Sequence, residues 1–317
     1  MKILITPTSM TPDKDIPALK RLKDFADEIV FNPTGKPLEG DQLTELLSGC
    51  DGYLAGVDYI TKEVLKKCPT LRCISRYGSG FDRVDLDAAK AQGIAVATTP
   101  GTNSQAVAEL ALGMMFCLAR QIPYLHKETA EGRWVRSNGT QLYGKTIGIV
   151  GLGAIGKRLA KMCSGISMRI LAYDPFINEE YCRTEDIESC TLTELLNRSD
   201  FVSLHLPLNS STRHIIDADA ISSMKKGAFL INASRGGIVD EEAAYAALLS
   251  GQLGGLGLDA FEQEPPEVSP LFGLNNVVLT PHTGAHTAEA TAAMADMAVD
   301  NLIAVLSGKE CSYVINR

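Results

Sequence analysis

Three polar residues, Arg235, Glu264 and His282, have the types needed to hold an anion and move a proton. A guanidinium binds a carboxylate through two parallel hydrogen bonds, and an imidazole exchanges a proton near neutral pH. A carboxylate next to the imidazole supports its protonated form. Each residue follows an apolar run typical of a strand, and strand ends are where parallel sheets bind ligands. These residue types suit hydride transfer to a carbonyl that lies beside a carboxylate.

A glycine-rich turn predicts the source of the hydride. Residues 145–160 place Gly151, Gly153 and Gly156 in a G-x-G-x-x-G pattern between an apolar strand and a helix start. These glycines allow a tight turn, the approach of a pyrophosphate, and close helix–strand contact, respectively. Asp174 ends the next predicted strand and suits the ribose diol of NAD, and residues 175–180 contain no cation for the 2′-phosphate of NADP. NAD is therefore favoured over NADP, with another Rossmann ligand such as S-adenosylmethionine as the alternative.

Elements that position these residues follow from the hydrophobic pattern. Short apolar runs alternate with helical patterns in two series, which predicts α/β structure with parallel sheets. The predicted strands are Ile3–Thr6, Glu28–Asn32, Gly52–Gly56, Arg72–Arg76, Ala95–Thr99, Thr146–Val150, Arg169–Asp174, Phe201–Leu206, Ala228–Ser234, Leu256–Ala260 and Val277–Thr280. Residues 103–121 and 287–306 have apolar side chains at helical spacing and predict long helices.

Two Rossmann-like or flavodoxin-like domains with a cleft between them are the predicted architecture. Residues 1–99 and 288–317 form the predicted substrate-binding, flavodoxin-like domain, because the last helix is expected to pack back on the first series. Residues 100–287 form the predicted NAD-binding Rossmann domain. The boundary near residue 99 is placed at Thr98-Thr99-Pro100-Gly101, where proline and glycine end a strand.

Composition narrows the class of protein. The chain has 317 residues, 45% apolar and 21% charged residues, and a net charge of −8 without a basic run, so nucleic acid is not an expected partner. The longest apolar run, residues 110–119, is too short to span a bilayer, and no signal peptide pattern begins the chain. Eight cysteines without a C-x-x-C pair indicate reduced thiols and a cytoplasmic protein. No metal site is predicted.

Several motifs in a fixed order resemble the D-isomer-specific 2-hydroxyacid dehydrogenase family, and most resemble its phosphoglycerate dehydrogenase branch. The resemblance covers nearly the whole chain. The motifs are Arg76–Leu86, Gly101–Ser104 with Val107–Glu109, the glycine loop, Asn232–Gly237, Asp259–Pro265 and Thr280–Ala285. The resemblance implies an NAD-dependent enzyme that interconverts a D-2-hydroxy acid and a 2-oxo acid.

Roles for individual residues come with this resemblance. Arg235 would hold the substrate carboxylate and C2 oxygen, and His282 would exchange a proton with that oxygen while paired with Glu264. N–H groups around Ser79 and Gly80 would complete the carboxylate site. The implied cofactor contacts are Gly151, Gly153, Ala154, Ile155, Gly156, Asp174, His205, Pro207, Thr212, Ala233, Arg235, Asp259, His282 and Gly284. For Asp259, a structural turn or helix-cap role is the alternative to a contact on the nicotinamide side.

The substrate and the partner subunit are less constrained. 3-Phosphoglycerate, and hence serine biosynthesis, is favoured, with glyoxylate/hydroxypyruvate reduction as the alternative, then sulfolactate oxidation and, more remotely, an NAD-sensing corepressor. Arg76 and Arg83 are candidates to bind a distal phosphate. The resemblance also implies a homodimer through the region of the helix at 103–121, whose apolar stripe is larger than a single interdomain contact would require. The alternative is that this helix packs within the nucleotide-binding domain. Trp134 is expected to pack within the chain, with a cleft or subunit contact as alternatives.

Overall fold

The computed structural model describes all 317 residues, which form two compact units. The first unit comprises Met1–Asn103 and His286–Arg317, and the second comprises Ser104–Ala285. The predicted domain boundaries, 99 and 287, lie four and two residues from the unit boundaries at 103 and 285. Both units contain one sheet, and every strand pair is parallel, so the predicted α/β class is confirmed.

The first unit has a five-stranded sheet. Its elements are β1 (Lys2–Ile5), α1 (Pro17–Phe25), β2 (Glu28–Phe31), α2 (Gly40–Leu47), β3 (Gly52–Ala55), α3 (Lys62–Lys66), β4 (Cys73–Arg76), α4 (Leu86–Ala91) and β5 (Ala95–Ala97). The strand order is β2-β1-β3-β4-β5. Side-chain caps define the starts of two of these helices, since Thr61 accepts the Val64 N–H before α3 and Asp85 accepts the Ala88 N–H before α4.

The second unit has a seven-stranded sheet. Its elements are α5 (Ser104–Ala119), α6 (Ile122–Ala130), β6 (Thr146–Val150), α7 (Ala154–Gly165), β7 (Arg169–Tyr173), α8 (Glu179–Thr184), β8 (Glu188–Ser189), α9 (Leu192–Arg198), β9 (Phe201–Leu204), α10 (Ala218–Ser223), β10 (Ala228–Asn232), α11 (Glu241–Ser250), β11 (Leu253–Leu258), a 3₁₀ turn (Pro270–Gly273) and β12 (Val277–Leu279). The order is β12-β11-β10-β9-β6-β7-β8. The chain therefore changes direction across the sheet beside β6, which is the switch point where such sheets bind dinucleotides.

Each unit buries one face of a long helix in its core. The final helix, α12 (Ala288–Leu306), packs against β3 and β4 of the first unit through residues that include Ala298 and Leu302. Helix α5 packs against α7, β10 and β11 of the second unit, with Ala111 and Met115 fully buried. The apolar stripe that the sequence assigned to a dimer contact is thus largely used inside the second unit.

No single helix has the length and apolarity required to cross a membrane. Helices α5 and α6 satisfy the length and composition criterion only when taken together, and they are bent by 61°. The bend occurs at Gln121, whose φ of 53° lies in the left-handed region and ends the straight helix predicted for residues 103–121.

Candidate active site

Three adjacent strand ends of the second unit bring the predicted catalytic residues together. Arg235 follows β10, Glu264 follows β11 and His282 follows β12, and these strands are consecutive neighbours in the sheet. Parallel pairing puts all three following loops at the same edge. The guanidinium of Arg235, the carboxylate of Glu264 and the imidazole of His282 therefore lie at one edge of the sheet, although they are far apart in sequence.

Glu264 and His282 form a direct pair. The distance from Nδ1 of His282 to Oε1 of Glu264 is 2.8 Å, and the two side chains are 36% and 18% exposed. The same Glu264 oxygen accepts the Phe261 N–H at 3.2 Å, which fixes the carboxylate to its own loop. With Nδ1 bound to Glu264, Nε2 is the ring nitrogen that remains to exchange a proton with a substrate.

A strained loop holds the histidine. His282 has a φ of 53°, and its N–H donates to the Thr280 carbonyl at 3.0 Å. Histidine tolerates the left-handed region better than most residues, although surrounding contacts must hold it there. The neighbouring Asp259 carboxylate supplies those contacts by accepting the Thr280 hydroxyl at 2.6 Å and the Thr283 and Gly284 N–H groups at 2.7 and 2.8 Å.

Asp259 is only 1% exposed and both of its carboxylate oxygens accept hydrogen bonds from this loop. These bonds give it the structural turn role that the sequence left open. Its predicted contact on the nicotinamide side stays a prediction. Gly284 also serves the turn, since a Cβ there would lie 3.0 Å from Asp259 Oδ2.

Arg235 is half-buried beyond the end of β10. The Asn232 side chain donates to the Arg235 carbonyl at 2.7 Å, and the Arg235 guanidinium donates to the Ser234 carbonyl at 2.8 Å. The following residue packs tightly on the loop that carries Glu264, because a Cβ on Gly236 would lie 1.8 Å from the Phe261 carbonyl oxygen. The arginine and glutamate loops are therefore in contact, and Ala233, a predicted cofactor contact, is buried at the base of the arginine loop.

The glycine loop has the shape that a dinucleotide requires. Gly151 has a φ of 100°, and a Cβ there would lie 2.7 Å from the His205 carbonyl oxygen. A Cβ on Gly156 would lie 2.2 Å from the Gly151 carbonyl oxygen, so helix α7 lies directly against the turn. A Cβ on Gly153 would meet nothing within 4 Å, which leaves this backbone open to a ligand. The start of α7, with Ala154 and Ile155, thus presents N–H groups on the open side.

Asp174 lies beside this loop at the end of β7. Its Oδ2 atom accepts the Leu152 N–H at 2.8 Å, and its Oδ1 atom accepts the Phe176 N–H at 2.8 Å. These bonds fix the carboxylate next to the glycine turn. Each oxygen has a further lone pair for a ribose hydroxyl, so the residue fits NAD.

The loop after β9 carries the residues predicted for the adenosine side. His205 Nε2 lies 3.0 Å from the Ser203 hydroxyl, whereas its buried Nδ1 atom has no hydrogen-bond partner. Burial lowers the pKa of His205 to about 4. The Thr212 hydroxyl donates to the Pro207 carbonyl at 2.6 Å and closes the loop. An unpartnered buried nitrogen beside the glycine loop is consistent with a polar ligand there, since buried polar atoms are normally paired.

Ser79 and Gly80, the remaining predicted substrate residues, belong to the first unit. They follow β4, and their N–H groups make no hydrogen bond within the chain. The buried Arg76 side chain supports them by donating to the carbonyls of Gly80 at 3.1 Å and Ala55 at 3.2 Å. Their binding of a carboxylate stays a prediction.

Sequence reasoning missed a group of carboxylates that contacts the loop of the Glu264–His282 pair. The Glu241 carboxylate accepts the Glu262 N–H at 2.7 Å, and the Glu262 carboxylate lies 2.9 Å from His214 Nε2. Glu241 stands in the first turn of a helix, where an acidic residue is usually explained by the helix dipole alone. No sequence signal therefore distinguished it from Glu242.

The expectation that Trp134 packs within the chain is wrong, because this side chain is 80% exposed.

Comparison with known families agrees with this geometry. Residues 112–284 match the model of the D-isomer specific 2-hydroxyacid dehydrogenase, NAD binding domain. The chain belongs to this family. The resemblance drawn from the motifs is thereby confirmed, as are NAD as the cofactor of the matched domain and the oxidoreductase class.

Individual relatives have different names at similar identity. The chain is 41% identical over 260 residues to D-3-phosphoglycerate dehydrogenase from Methanocaldococcus jannaschii, a match covering 81% of this chain and 50% of that protein. It is 41% identical over 263 residues to hydroxypyruvate reductase from Thermotoga maritima, covering 81% and 85%. The chain thus spans about half the length of the first of these relatives.

A solved structure supports the fold and the cofactor. The D-lactate dehydrogenase from Aquifex aeolicus, crystallised with NAD and lactic acid, is 29% identical and superposes with a TM-score of 0.84. The superposition covers 96% of each chain. The family and fold are thus established by several relatives, whereas the substrate differs among them.

Proposed function

We propose that this protein interconverts a D-2-hydroxy acid and a 2-oxo acid with NAD, and that the hydroxy acid is 3-phosphoglycerate. The observation that carries the reaction type is the 2.8 Å contact between His282 Nδ1 and Glu264 Oε1. This pair stands one strand end away from Arg235 and in the same sheet as the glycine loop. A proton donor, an anion site and a dinucleotide site are the components that the reaction requires.

NAD would be held by the turn after β6 and by Asp174. The open backbone at Gly153 and the first N–H groups of α7 suit the pyrophosphate, and the fixed Asp174 carboxylate suits the ribose diol. When bound, the nicotinamide supplies or accepts the hydride at the substrate C2 atom. The protein's contribution is to place the substrate and to balance the charge that forms on its oxygen.

His282 supplies the proton. During reduction its Nε2–H donates to the carbonyl oxygen as the carbon becomes tetrahedral, and during oxidation neutral Nε2 accepts the hydroxyl proton. Glu264 positions the ring through Nδ1 and stabilises the imidazolium by its negative charge. The Asp259 contacts fix the backbone of the loop that carries His282.

Arg235 would bind the substrate carboxylate, because its planar guanidinium can form two parallel hydrogen bonds to the two oxygens. C2 is bonded directly to this carboxylate, so a residue that holds the carboxylate also limits where C2 and its oxygen can lie. Ser79 and Gly80, in the first unit, stay predicted carboxylate-binding residues. Every 2-hydroxy acid shares these atoms, so the residues at this edge define the class of substrate and leave its distal group undetermined.

A specific observation favours a second candidate, reduction of glyoxylate or hydroxypyruvate. The two arginines considered for a distal phosphate are both engaged with backbone carbonyls. Arg76 is 5% exposed and donates to the Ala55 and Gly80 carbonyls, and Arg83 donates to the Val57 carbonyl at 2.8 Å. Arg83 also lies over the Tyr59 ring, with 4.6 Å from its Cζ atom to the ring centroid.

The deciding experiment follows NADH absorbance with purified protein and matched substrate pairs. The panel contains 3-phosphoglycerate, phosphohydroxypyruvate, hydroxypyruvate, glyoxylate and sulfopyruvate. Highest kcat/KM for the phosphorylated pair supports 3-phosphoglycerate and a place in serine biosynthesis, whereas highest kcat/KM for hydroxypyruvate or glyoxylate supports the second candidate. No turnover with any acid, together with measurable NADH binding, would replace the enzymatic proposal by an NAD-sensing role.

We also propose that the protein is a cytoplasmic homodimer. All eight cysteines are free thiols, which suits a reducing compartment.

The dimer contact is proposed at the arm, residues 131–143. The arm has no helix or strand, and Trp134 and Tyr143 on it are 80% and 73% exposed. A second copy is the proposed cover for these aromatic side chains. Trp134→Ser should then yield monomers in analytical ultracentrifugation, whereas Leu249→Ser, at another exposed apolar site, should leave dimers. A monomeric wild-type protein would refute this proposal.

A further inference from the structure

The turn that carries Glu264 is held by two carboxylates. Its consecutive N–H groups, those of Phe261 and Glu262, donate to Glu264 Oε1 at 3.2 Å and to Glu241 Oε1 at 2.7 Å. Glu264 is the partner of His282, and Glu241 begins helix α11 after β10. The two peptide groups on either side of Phe261 are thus fixed, one by a contact inside the turn and the other by a contact from a different element.

Glu241 is placed to determine where this turn lies. The side chain is half-buried, and burial, together with the charges of Glu262 and Glu264, raises the pKa of its carboxyl. Keeping a carboxyl group close to two others is unfavourable unless its hydrogen bond compensates. The 2.7 Å bond to the Glu262 N–H is that compensation, and it links the start of α11 to the turn.

The other contacts of the turn limit its movement in the remaining directions. The Phe261 carbonyl lies against Gly236, where a Cβ would be 1.8 Å from the carbonyl oxygen. The Glu262 carboxylate lies 2.9 Å from His214 Nε2. Loss of the Glu241 contact therefore releases the turn on the side of α11, because Gly236 and His214 approach it from other loops.

We propose that Glu241 is a positioning residue for the reaction, which acts by fixing the turn so that the Glu264 carboxylate meets His282 Nδ1. This inference rests on the proposed function. Glu241 is not among the residues proposed to contact the substrate or the cofactor. Its effect passes through the Glu262 N–H, the adjoining Phe261 peptide and the Glu264 carboxylate to the imidazole.

Paired substitutions at Glu241 test the hydrogen bond separately from the charge. Glu241→Ala removes the acceptor and should lower kcat about tenfold, since small displacements of catalytic groups have large effects on rate. Glu241→Gln keeps an oxygen acceptor and should retain kcat within about twofold. The dissociation constant for NADH, measured by fluorescence titration, should stay unchanged in both variants. Glu242→Ala, an exposed neighbour in the same helical turn, is the matched control.

A double-mutant cycle with Glu264→Gln separates positioning from a general loss of stability. If Glu241 acts through Glu264, Glu241→Ala lowers kcat about tenfold in the wild type and by less than about twofold in the Glu264→Gln background. Equal effects in both backgrounds, or no rescue by Gln, would overturn the proposal. If Glu264→Gln itself leaves turnover unchanged, the proposed reaction mechanism fails instead, so the two failures are distinguishable.

Discussion

Asp58, at the carboxyl edge of the first sheet, and the Glu264–His282 pair with His205, at that of the second, differ in how far their hydrogen bonds are completed within the protein. In the first unit, the Asp58 carboxylate is 1% exposed and accepts the Tyr53 hydroxyl at 2.6 Å, the Leu38 N–H at 2.7 Å and the Thr6 hydroxyl. In the second unit, the Glu264–His282 pair is partly exposed, and His205 Nδ1 is buried without a partner. We call the network around Asp58 in the first unit the closed edge, because its hydrogen bonds are made within the protein. We call the region of Glu264, His282 and His205 in the second unit the open edge.

This difference indicates which groups stabilise and which act. A buried polar group whose hydrogen bonds are all made inside the protein contributes to stability and has little capacity left for a ligand. The His282 ring is bonded to Glu264 through Nδ1, so its Nε2 atom has capacity to exchange a proton with a ligand. Substitution of Asp58 should therefore change mainly the unfolding free energy, whereas substitution of His282 should change mainly turnover.

The largest expected effect is loss of turnover at the open edge. His282→Ala should lower kcat/KM for the 2-oxo acid about 1,000-fold, because the proton donor is removed. The melting temperature should change by no more than about 2 °C, since the side chain is partly exposed. Steady-state NADH oxidation and differential scanning calorimetry provide the two readouts. His286→Ala, an exposed histidine four residues further along the chain, should keep wild-type turnover.

The closed edge should respond in stability. Asp58→Ala leaves the Tyr53 hydroxyl and the Leu38 N–H without their buried acceptor, so the unfolding free energy should fall by about 3 kcal/mol. Chemical denaturation measures the loss of unfolding free energy. Relative to the wild type, hydrogen exchange in the variant should become faster in residues 1–103 and change less in residues 104–285. Asp87→Ala, at an exposed position, should change stability by less than about 1 kcal/mol. Unchanged exchange in the first unit would contradict the comparison.

The unpartnered histidine at the open edge predicts a dependence of stability on pH. His205 has a pKa of about 4 in the folded protein against a reference value of 6.5, so only the unfolded chain gains a proton between these values. Its contribution is complete above pH 6.5 and is lost as the pH falls towards 4. Between pH 8 and pH 5, the wild type should lose about 2 kcal/mol more stability than His205→Gln.

Urea unfolding followed by circular dichroism at both pH values provides this measurement. His126→Gln, which replaces an exposed histidine of α6, should lose as much stability as the wild type over the same interval. Equal slopes for the wild type and His205→Gln would show that His205 is not kept neutral by burial. The result also tests the contrast between the edges, because the closed network contains no unpartnered nitrogen of this kind.

Sequence patterns were sufficient for the parts of the site that follow strands. Arg235, Glu264 and His282 each come after an apolar run, and the rule that parallel sheets collect their ligands at one edge predicts that their loops lie together. The apolar pattern predicts that β11 starts at Leu256, but the strand begins at Leu253. The difference arises because Gly254 and Gly255 belong to the strand, where a Cβ on Gly254 would lie 2.4 Å from the Gly227 carbonyl oxygen.

These local sequence patterns do not predict contacts between segments that are far apart in the chain. Strand β8 has only two residues and no period to detect. Asp58 is bonded to Thr6 across 52 positions, and the Glu262 N–H reaches Glu241 across 21. Apolar spacing in α5 indicated a buried face but could not identify the surface that buries it, and that surface includes α7 and β10. Such pairings depend on tertiary packing and have no local signal.

The smallest expected effect concerns the choice of cofactor. Asp174→Asn removes the negative charge beside the ribose, so the ratio of kcat/KM for NADH to that for NADPH should fall about tenfold. The same carboxylate holds the Leu152 and Phe176 N–H groups, and a looser glycine loop would weaken both cofactors. The ratio is therefore the informative quantity, because loop displacement lowers both values while the lost charge favours only the 2′-phosphate. Glu180→Gln, nearby in α8 and exposed, should leave the ratio unchanged. An unaltered ratio in Asp174→Asn would mean that the carboxylate supports the turn without selecting the ribose, which would make Asp174 resemble Asp58 more than His282.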